Sequence, residues 1–314
     1  MEIYWDINRV KKYKNSVLTV GTFDGVHLGH QFIFEELNKR AVKLDAQTTL
    51  VTFKPHPQLV LKSLNKPKIR ILTTIEEKID ILKSLNINRV VVIQFTKEFS
   101  KTSSYDFVHK YLYQTIGFNE IVIGHDHAFG KNREGDIKTL RTLGSELGFN
   151  VDELPTFKVD NIVVSSTKIR NLLQEGKVSH ASKLLGRNYF FSGKVVKGDG
   201  RGKSFNFPTA NIKPASEDKL IPQDGVYAVY TNFAGHKYQG MMNIGLRPTF
   251  GSLKHTIELH IFDFNKNIYG EELIIEFVDK IRNEIHFSNS DELVEQLEYD
   301  KEKSLQLLQN DIGR

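Results

Sequence analysis

The most constraining feature of this 314-residue chain is a change of hydrophobic pattern near Gly186. Before that point, short apolar runs alternate with amphipathic segments of helical period, which is typical of a parallel sheet wrapped by helices. After it, apolar runs are separated by glycine, proline and asparagine turns, and strands of this kind close most simply into a small antiparallel barrel. The sequence therefore predicts an α/β domain over residues 1–185 and a barrel domain over residues 186–314.

The individual elements follow from the same periodicities. In the first domain we predict strands at Val17–Val20, Thr48–Phe53, Val90–Phe95 and Ile121–Gly124, and helices at His30–Lys43, Ile75–Leu85, Tyr105–Ile116 and Ile137–Leu147. A short helix ending near Gly176 and another at Ser179–Leu185 lead out of it. In the second domain we predict strands at Phe190–Val196, Tyr227–Phe233, Tyr238–Ile244, Thr256–Phe262 and Leu273–Phe277, then an amphipathic helix from Ser290 to about Leu308.

Composition excludes several classes of protein. The chain has no cysteine, which excludes disulfides and thiolate metal sites and suits a reducing compartment. The net charge of +5 comes from 43 basic and 38 acidic residues spread along the chain, so we expect no nucleic-acid partner. No segment resembles a signal peptide or a membrane span. We therefore expect a cytoplasmic protein that acts on anionic small molecules.

The ten residues Gly21-Thr-Phe-Asp-Gly-Val-His-Leu-Gly-His30 are expected to bind phosphate. They lie between a predicted buried strand and a predicted helix, whose N-terminus offers free N–H groups and the positive end of its dipole. The glycines permit a tight turn. His27 and His30 lie about one helical turn apart and can donate hydrogen bonds to a phosphorus centre that gains charge. The structural alternative is two surface histidines in a turn.

Three further segments are expected beyond the ends of the parallel strands, where ligands of such sheets bind. His56 stands between prolines, Asp126 follows a strand, and Ser165-Ser-Thr-Lys-Ile-Arg170 combines hydroxyls with cations at a helix start. Each also fits a structural alternative: a rigid turn for His56, and helix caps for the other two. Two facing anion sites suit a nucleoside triphosphate whose α-phosphate is attacked, which is nucleotidyl transfer.

The barrel half contains a second set of candidates. Gly198-Asp-Gly-Arg-Gly-Lys203 is a glycine-rich loop whose N–H groups can bind phosphates. Thr209 and Asn211, in Phe-Pro-Thr-Ala-Asn, offer neutral oxygens to Mg²⁺. On an alternating strand, Glu258 and His260 share a face opposite Ile257 and Leu259. Glu258 is then placed to take a proton from an attacking hydroxyl, and from spacing alone an exposed strand glutamate is the favoured alternative.

Together these segments resemble the bacterial bifunctional riboflavin kinase and FAD synthetase family over nearly the whole chain. Further matching motifs are Leu-Leu-Gly-Arg at 184–187 and Asn-Ile-Gly-Leu-Arg-Pro-Thr-Phe at 243–250. The resemblance implies that riboflavin is phosphorylated to FMN with ATP and that FMN is then adenylylated to FAD by a second ATP, with release of pyrophosphate. It implies Mg²⁺ for both reactions.

Specific roles follow from the resemblance. It implies that His27 and His30 stabilise the α-phosphate, that Thr209 and Asn211 bind Mg²⁺ and ATP, and that Glu258 is the catalytic base. The residues expected to bind ATP for adenylyl transfer are Gly21, Thr22, Phe23, Asp24, Gly25, His56, Asp126, Ser165, Ser166, Thr167 and Arg170. Those expected to bind ATP for the kinase reaction are Gly198, Gly200, Gly202, Lys203, Thr209 and Asn211.

The sequence departs from the family pattern at two positions. Asn206 stands where glycine is usual, and asparagine also tolerates the left-handed conformation. His127 stands where an aromatic residue is common. Arg282 resembles a family position near the flavin.

Two rival functions remain open at this point. One is a single-activity nucleotidyltransferase in which the barrel only binds flavin. The other is a flavin sensor without turnover. The sequence also leaves open whether the chain forms homo-oligomers.

Overall fold

A computed structural model describes residues 1–61, 68–125, 128–198, 207–249 and 252–311, and for strand residues 247–249 and 252–254 it describes the backbone only. The chain divides into two compact units between Ser165 and Ser166. The sequence-based boundary at 185/186 lies two short helices later. It remains a prediction about where the functional halves meet.

The first unit is an α/β fold. Its strands are β1 (Glu2–Tyr4), β2 (Ser16–Val20), β3 (Gln47–Lys54), β4 (Arg89–Gln94), β5 (Glu120–Gly124), β6 (Asn150–Leu154) and the small pair β7 (Lys158–Val159) and β8 (Ile162–Val163). Its helices are α1 (Leu28–Lys43), α2 (Pro57–Val60), α3 (Ile75–Lys83), α4 (Ser104–Asp106) and α5 (Ile137–Leu147).

The main sheet is parallel throughout, with strand order β1-β4-β3-β2-β5-β6. All five residues of β2 are buried, because helices cover both faces of the sheet. One apolar cluster, which includes Leu18, lies on one face, and a second, which includes Val17, lies on the other. The predicted doubly covered parallel sheet is confirmed.

Helix α3 forms as the sequence predicts. Thr74 and Glu77 make the expected capping box, in which each side chain accepts a hydrogen bond from the other residue's backbone N–H. Ile75, Ile79 and Leu82 are buried against the sheet. This helix lies beside the β2–α1 connection, and its first turn contributes to the site described below.

The differences in this unit have local causes. Edge strands β1 and β6 were not predicted, because a three-residue strand and a partly exposed one show no long apolar run. The predicted helix Tyr105–Ile116 is a turn of α-helix followed by a π-helix over Phe107–Ile116. Its apolar residues still face the core, since Phe107, Val108, Leu112 and Ile116 are all buried.

The second unit begins with two helices and continues as a barrel. The helices are α6 (Ser166–Gln174) and α7 (Val178–Leu185). The strands are β9 (Tyr189–Val196), β10 (Ala210–Pro214), β11 (Gly225–Phe233), β12 (His236–Thr249), β13 (Ser252–Ile261) and β14 (Glu272–Arg282), and α8 (Ser290–Asp311) ends the fold.

The barrel is closed, with strand order β10-β13-β12-β11-β14-β9, which confirms the predicted antiparallel barrel. The side chains of Phe191, Tyr227 and Phe277 are fully buried and their rings are in contact, so they fill the centre. Strand β10 was not predicted, because Ala-Asn-Ile-Lys-Pro is short, has a single large apolar residue and ends in proline. It nevertheless closes the barrel, since it pairs with both β9 and β13.

Helix α8 packs on the outside of the barrel. Leu308 is fully buried there, and Leu297 and Leu305 are partly buried against the same cluster, while the predicted inward residue Leu293 is half-buried. The hydroxyl of Tyr230 in β11 donates to the Leu308 carbonyl oxygen over 2.8 Å. The predicted inward face of this helix is therefore correct in its C-terminal part.

A buried ion pair anchors α8 to β14. Arg282 donates from Nε and Nη2 to the Asp300 carboxylate over 2.7 to 3.0 Å. The side chain of Asp300 is fully buried and that of Arg282 is 16% exposed. Gln296 donates to the same carboxylate over 2.8 Å, so the buried charge is well satisfied.

We expect Asp300→Ala to destabilise the barrel unit by about 3–5 kcal/mol, because it leaves the Arg282 guanidinium without its buried counter-charge. Urea unfolding, followed by far-UV circular dichroism, measures the free energy of unfolding. Glu298→Ala, which changes an exposed residue of the same helix, is the control and should alter stability by less than about 0.5 kcal/mol. An equal effect of the two substitutions would contradict the anchoring role.

Candidate functional site

The Gly21–His30 segment connects the carboxyl end of β2 to the start of α1. His27 is the N-cap of α1, and its Nδ1 accepts a hydrogen bond from the His30 backbone N–H over 3.3 Å. Because that nitrogen accepts, a neutral His27 carries its hydrogen on Nε2. The His27 and His30 rings stack at 3.5 Å between centroids, with 18° between their planes.

The backbone of this loop is contorted. Phe23, Gly25 and Val26 have φ of 45°, 85° and 41°, a region that residues with a Cβ adopt only under constraint. The Phe23 ring packs edge-on against His30 at 5.2 Å and against Phe34 at 5.0 Å. A Cβ at Gly21 would lie 3.0 Å from the Phe23 ring, so the loop closes tightly on itself.

Asp24 fastens the loop to the segment before α3. It is 1% exposed, and its carboxylate accepts hydrogen bonds from the backbone N–H groups of Leu72 and Thr73, each over 3.0 Å. The Gly25 backbone N–H in turn donates to the Thr73 hydroxyl over 3.0 Å. The sequence analysis places Asp24 among the ATP-binding residues, which stays a prediction; in the structure its carboxylate accepts hydrogen bonds from two backbone N–H groups and from the Thr73 hydroxyl.

Lys78 supports the same loop and was missed by the sequence analysis. Its Nζ donates to the Thr22 carbonyl oxygen over 2.6 Å and to the Thr52 hydroxyl over 3.3 Å. Burial lowers the pKa of Lys78 to about 8, an effect partly opposed by the negative charge of Asp24. The available signal was its place on α3, where a lysine interrupts the apolar face of Ile75, Ile79 and Leu82.

The other predicted residues of this half have different surroundings. His56 caps α2, where its Nδ1 accepts the Gln58 backbone N–H over 3.2 Å. Ser165 precedes α6, where Ser166 and Arg170 are half-buried and Thr167 is exposed, and this segment crosses the division between the two units. Asp126 lies outside the described residues, as does His127.

In the barrel, the structure brings Thr209, Asn211 and Glu258 together. Asn211 in β10 is the cross-strand partner of Glu258 in β13, and the Thr209 hydroxyl donates to Glu258 Oε2 over 3.3 Å. All three residues are half-buried, so Glu258 is not the exposed strand glutamate of the alternative interpretation. Asn243 in β12 pairs with Glu258 from the other side and belongs to the motif at 243–250, although the sequence analysis did not name it as a candidate.

The glycine-rich loop is described at one end only. A Cβ at Gly198 would collide with the side-chain amide of Asn211, so the chain at Gly198 passes close to that amide. Gly200, Gly202 and Lys203 lie outside the described residues. So does Asn206.

The structure corrects one detail of the β13 face. Ile257 and Leu259 are buried, as expected, but His260 is also only 8% exposed. Phe207 covers it with a ring contact at 5.1 Å, so the face that carries Glu258 and His260 is not uniformly open to solvent. Arg282, expected near the flavin, directs its guanidinium at Asp300 and at the Asn283 carbonyl oxygen.

The oxygen atoms of the barrel site fit a magnesium ion. Thr209 supplies a hydroxyl oxygen and Asn211 an amide carbonyl oxygen, which are hard donors of the kind that Mg²⁺ prefers. Within the described ranges, no three His, Cys, Asp or Glu side chains cluster closely enough to hold a metal ion. A site with few protein ligands suits Mg²⁺ that is bound mainly through the phosphates of a nucleotide.

None of the helices in the described part of the chain has the length and apolar character that crossing a bilayer requires.

Two family models match the chain in succession. The model described as FAD synthetase matches residues 9–168, and the one described as riboflavin kinase matches residues 185–308. The first range contains the stacked histidine pair and the second contains Thr209, Asn211 and Glu258. Each site therefore lies within a different family match.

Individual proteins match nearly the whole chain. A Buchnera aphidicola subsp. Schizaphis graminum protein named bifunctional riboflavin kinase/FMN adenylyltransferase is 40% identical over 308 residues, 96% of this chain and 97% of its own. A Bacillus subtilis protein of that name is 37% identical and covers 94% of this chain and 93% of its own. The crystal structure of a Streptococcus pneumoniae protein described as a macrolide-efflux protein is 29% identical, with a TM-score of 0.87 and coverage of 96% and 97%. That last description differs from the name shared by the other two and concerns the pneumococcal protein alone.

The lowered pKa of Lys78 makes stability depend on pH. In the unfolded chain the Lys78 ammonium has a pKa of about 10.4, whereas in the folded protein its pKa is about 8. The unfolded chain binds more protons between these two values, so the free energy of unfolding increases as the pH rises from about 8 to about 10.4. We expect Lys78→Met to remove about 3 kcal/mol of this pH-dependent increment. Urea unfolding of both proteins between about pH 7 and about pH 10 measures the difference. Lys83→Met, at an exposed position of the same helix, is the control. If the free energy of unfolding depended on pH in the same way in wild type and Lys78→Met, the pKa of Lys78 would not be lowered by folding.

Proposed function

The chain belongs to the bifunctional riboflavin kinase/FMN adenylyltransferase family, and from that premise we propose that the histidine pair and the Thr209–Glu258 site each serve one of its two reactions. The protein phosphorylates riboflavin to FMN with ATP and adenylylates FMN to FAD with a second ATP, releasing pyrophosphate. The observation that carries the assignment is the succession of two family matches, each of which encloses one of the two sites.

For adenylyl transfer, we propose that α1 and the two histidines act on the α-phosphate of ATP. A phosphate oxygen of FMN attacks the α-phosphorus, and pyrophosphate departs from the opposite side. Negative charge on the equatorial oxygens is then met by the positive end of the α1 dipole. His27, whose neutral form carries its hydrogen on Nε2 because Nδ1 accepts from the His30 backbone N–H, is proposed to donate from Nε2 to the same oxygens. Fixed donors of this kind cost little reorganisation as the charge develops.

We propose that the remaining residues of this half hold the nucleotide or the loop. Asp24 acts through the loop, because its carboxylate is occupied by backbone N–H groups. The segment from Ser165 to Arg170 is proposed as the triphosphate clamp, with hydroxyls at a helix start beside a guanidinium. Gly21, Thr22, Phe23, Gly25, His56 and Asp126 remain predicted contacts of the nucleotide.

For phosphoryl transfer, we propose that Glu258 accepts the proton of the ribityl 5′-hydroxyl as the hydroxyl oxygen attacks the γ-phosphorus of ATP and ADP departs. The Thr209 hydroxyl donates to one Glu258 oxygen and so orients the carboxylate. The lone pairs of that hydroxyl, together with the Asn211 amide oxygen, are available to Mg²⁺. When bound, the ion would neutralise charge on the phosphates. Gly198 and the loop that follows it are proposed to bind the phosphates through backbone N–H groups.

Arg282 is proposed to act beside the flavin from a fixed position. Its Nε and Nη2 are held by Asp300, so its guanidinium plane is set by α8.

We further propose that the enzyme requires Mg²⁺ for both reactions and works in the cytoplasm, with small molecules rather than nucleic acid or membrane as partners. The functional halves are proposed to meet at residue 185/186, and sizing with and without ligands would establish whether the chain self-associates.

We expect Glu258→Ala to lose riboflavin phosphorylation, by about a hundredfold or more, while FMN supplied directly is still converted to FAD. Separation of flavins after incubation with ATP and Mg²⁺ measures both products. Glu272→Ala, at an exposed position on β14, should leave both rates unchanged. Equal loss of the two activities in Glu258→Ala would mean that the halves do not contain independent sites.

We expect His30→Ala to have the opposite effect, since it removes a donor from the adenylyl-transfer site. FAD formation should fall about a hundredfold, which corresponds to about 3 kcal/mol of barrier, and FMN should accumulate. His236→Ala, an exposed histidine of the barrel, is the matched control. Unchanged FAD output in His30→Ala would refute the role given to the histidine pair.

A further inference from the structure

His260 lies two residues beyond Glu258 on β13 and makes one contact that the proposed mechanism does not use. Its Nδ1 lies 2.8 Å from the Pro208 carbonyl oxygen. A carbonyl oxygen can only accept, so Nδ1 carries a hydrogen and donates it. The side chain of His260 thus joins β13 to the segment that leads into β10.

The surroundings of His260 keep this donor in place. The ring packs against Phe207 at 5.1 Å and against Phe262 at 5.6 Å. Burial, together with the positive charge of Lys301, lowers the pKa of His260, although its bond to Pro208 partly opposes the shift. Whatever the protonation state of the ring, Nδ1 carries the hydrogen that the Pro208 carbonyl oxygen accepts.

The accepting segment is the one that positions Thr209. The β10–β13 ladder pairs Ala210 with Leu259 and Asn211 with Glu258, and β10 begins at Ala210. Thr209 and Pro208 lie just outside the strand. Pro208 has no N–H, so its carbonyl oxygen is the one backbone group through which it can be tied. Beyond the last pair of the β10–β13 ladder, the hydrogen bond from His260 to Pro208 continues the connection between β13 and this segment.

We infer that His260 is a positioning residue for phosphoryl transfer: by holding the Pro208 carbonyl oxygen, it fixes the Thr209 hydroxyl against Glu258. This inference rests on the proposed function of the barrel site. His260 itself does not contact the reacting atoms in this assignment. It acts because Thr209 is the next residue after Pro208 and must reach both the Glu258 carboxylate, 3.3 Å away, and the metal.

The geometry predicts which substitutions preserve the effect. The side-chain nitrogen of asparagine extends about as far from the backbone as histidine Nδ1, whereas that of glutamine corresponds to Nε2. His260→Asn can therefore donate to Pro208, and His260→Gln, which is similar in size and polarity, places its donor one bond too far. Leucine fills the space between Phe207 and Phe262 without any donor.

We expect His260→Leu and His260→Gln to lower kcat for riboflavin phosphorylation about tenfold and to raise the Mg²⁺ concentration needed for half-maximal rate, because a misplaced Thr209 weakens both functions. His260→Asn should recover kcat to within about threefold of wild type. Conversion of supplied FMN to FAD should be unchanged in all three. Steady-state kinetics of both reactions over a range of Mg²⁺ and ATP, with circular dichroism for folding, gives these values.

Each other outcome is decisive. If Asn, Gln and Leu lower kcat equally, the ring matters through packing and the positioning role is wrong. If none of them changes kcat or the Mg²⁺ dependence, the bond to Pro208 has no function in catalysis. If Leu fails to fold, the Asn and Gln pair still tests the donor position. If wild type does not phosphorylate riboflavin, or Glu258→Ala retains that activity, the proposed function has failed rather than the role of His260.

Discussion

A polar group cut off from water must find a partner inside the protein, and this requirement fixes the functional segments of both units. In the first unit, Asp24 and Lys78 are buried behind the β2–α1 loop and find their partners in its backbone and in the segment before α3. In the second, His260 is buried beside β10 and finds its partner in the Pro208 carbonyl oxygen. In each case, satisfying a buried group holds a site segment in one conformation.

This arrangement separates two kinds of residue. Those proposed to face a substrate lie at the ends of regular elements: His27 at the start of α1, and Asn211 near the start of β10. Those that hold them are distant in sequence and project from neighbouring elements, as Lys78 does from α3. The positive φ values of Phe23 and Val26 show how strongly the supports act, since residues with a Cβ adopt them only when the surroundings compensate for the strain.

Sequence periodicity was sufficient for the architecture, and it gave no sign of the residues that support the two candidate sites. The parallel sheet followed from apolar runs such as Ser16–Val20, whose burial on both faces leaves a continuous hydrophobic signature. Strand β10 left no such trace, because it is short, and its pairing with β9 and β13 is a long-range event. The sequence did not indicate the supporting contacts of Lys78 and His260 for a related reason: each contact depends on which distant backbone oxygen the side chain reaches in the folded protein. The family resemblance implies that Glu258 is the base, whereas spacing alone favoured an exposed glutamate; the role stays a proposal, which the contact with Thr209 supports.

The closure of the barrel by β10 ties the integrity of the fold to the position of Asn211. Along a strand, neighbouring side chains point to opposite faces, so a slip of one residue in the β10–β13 pairing would exchange the sides occupied by Asn211 and the buried Ile212. Loss of the strand altogether would leave β9 and β13 with unpaired edges that invite association with other chains. Substitutions that disturb this short strand would therefore lower solubility as well as turnover. A relative that lost the kinase activity would still need β10 to close the barrel.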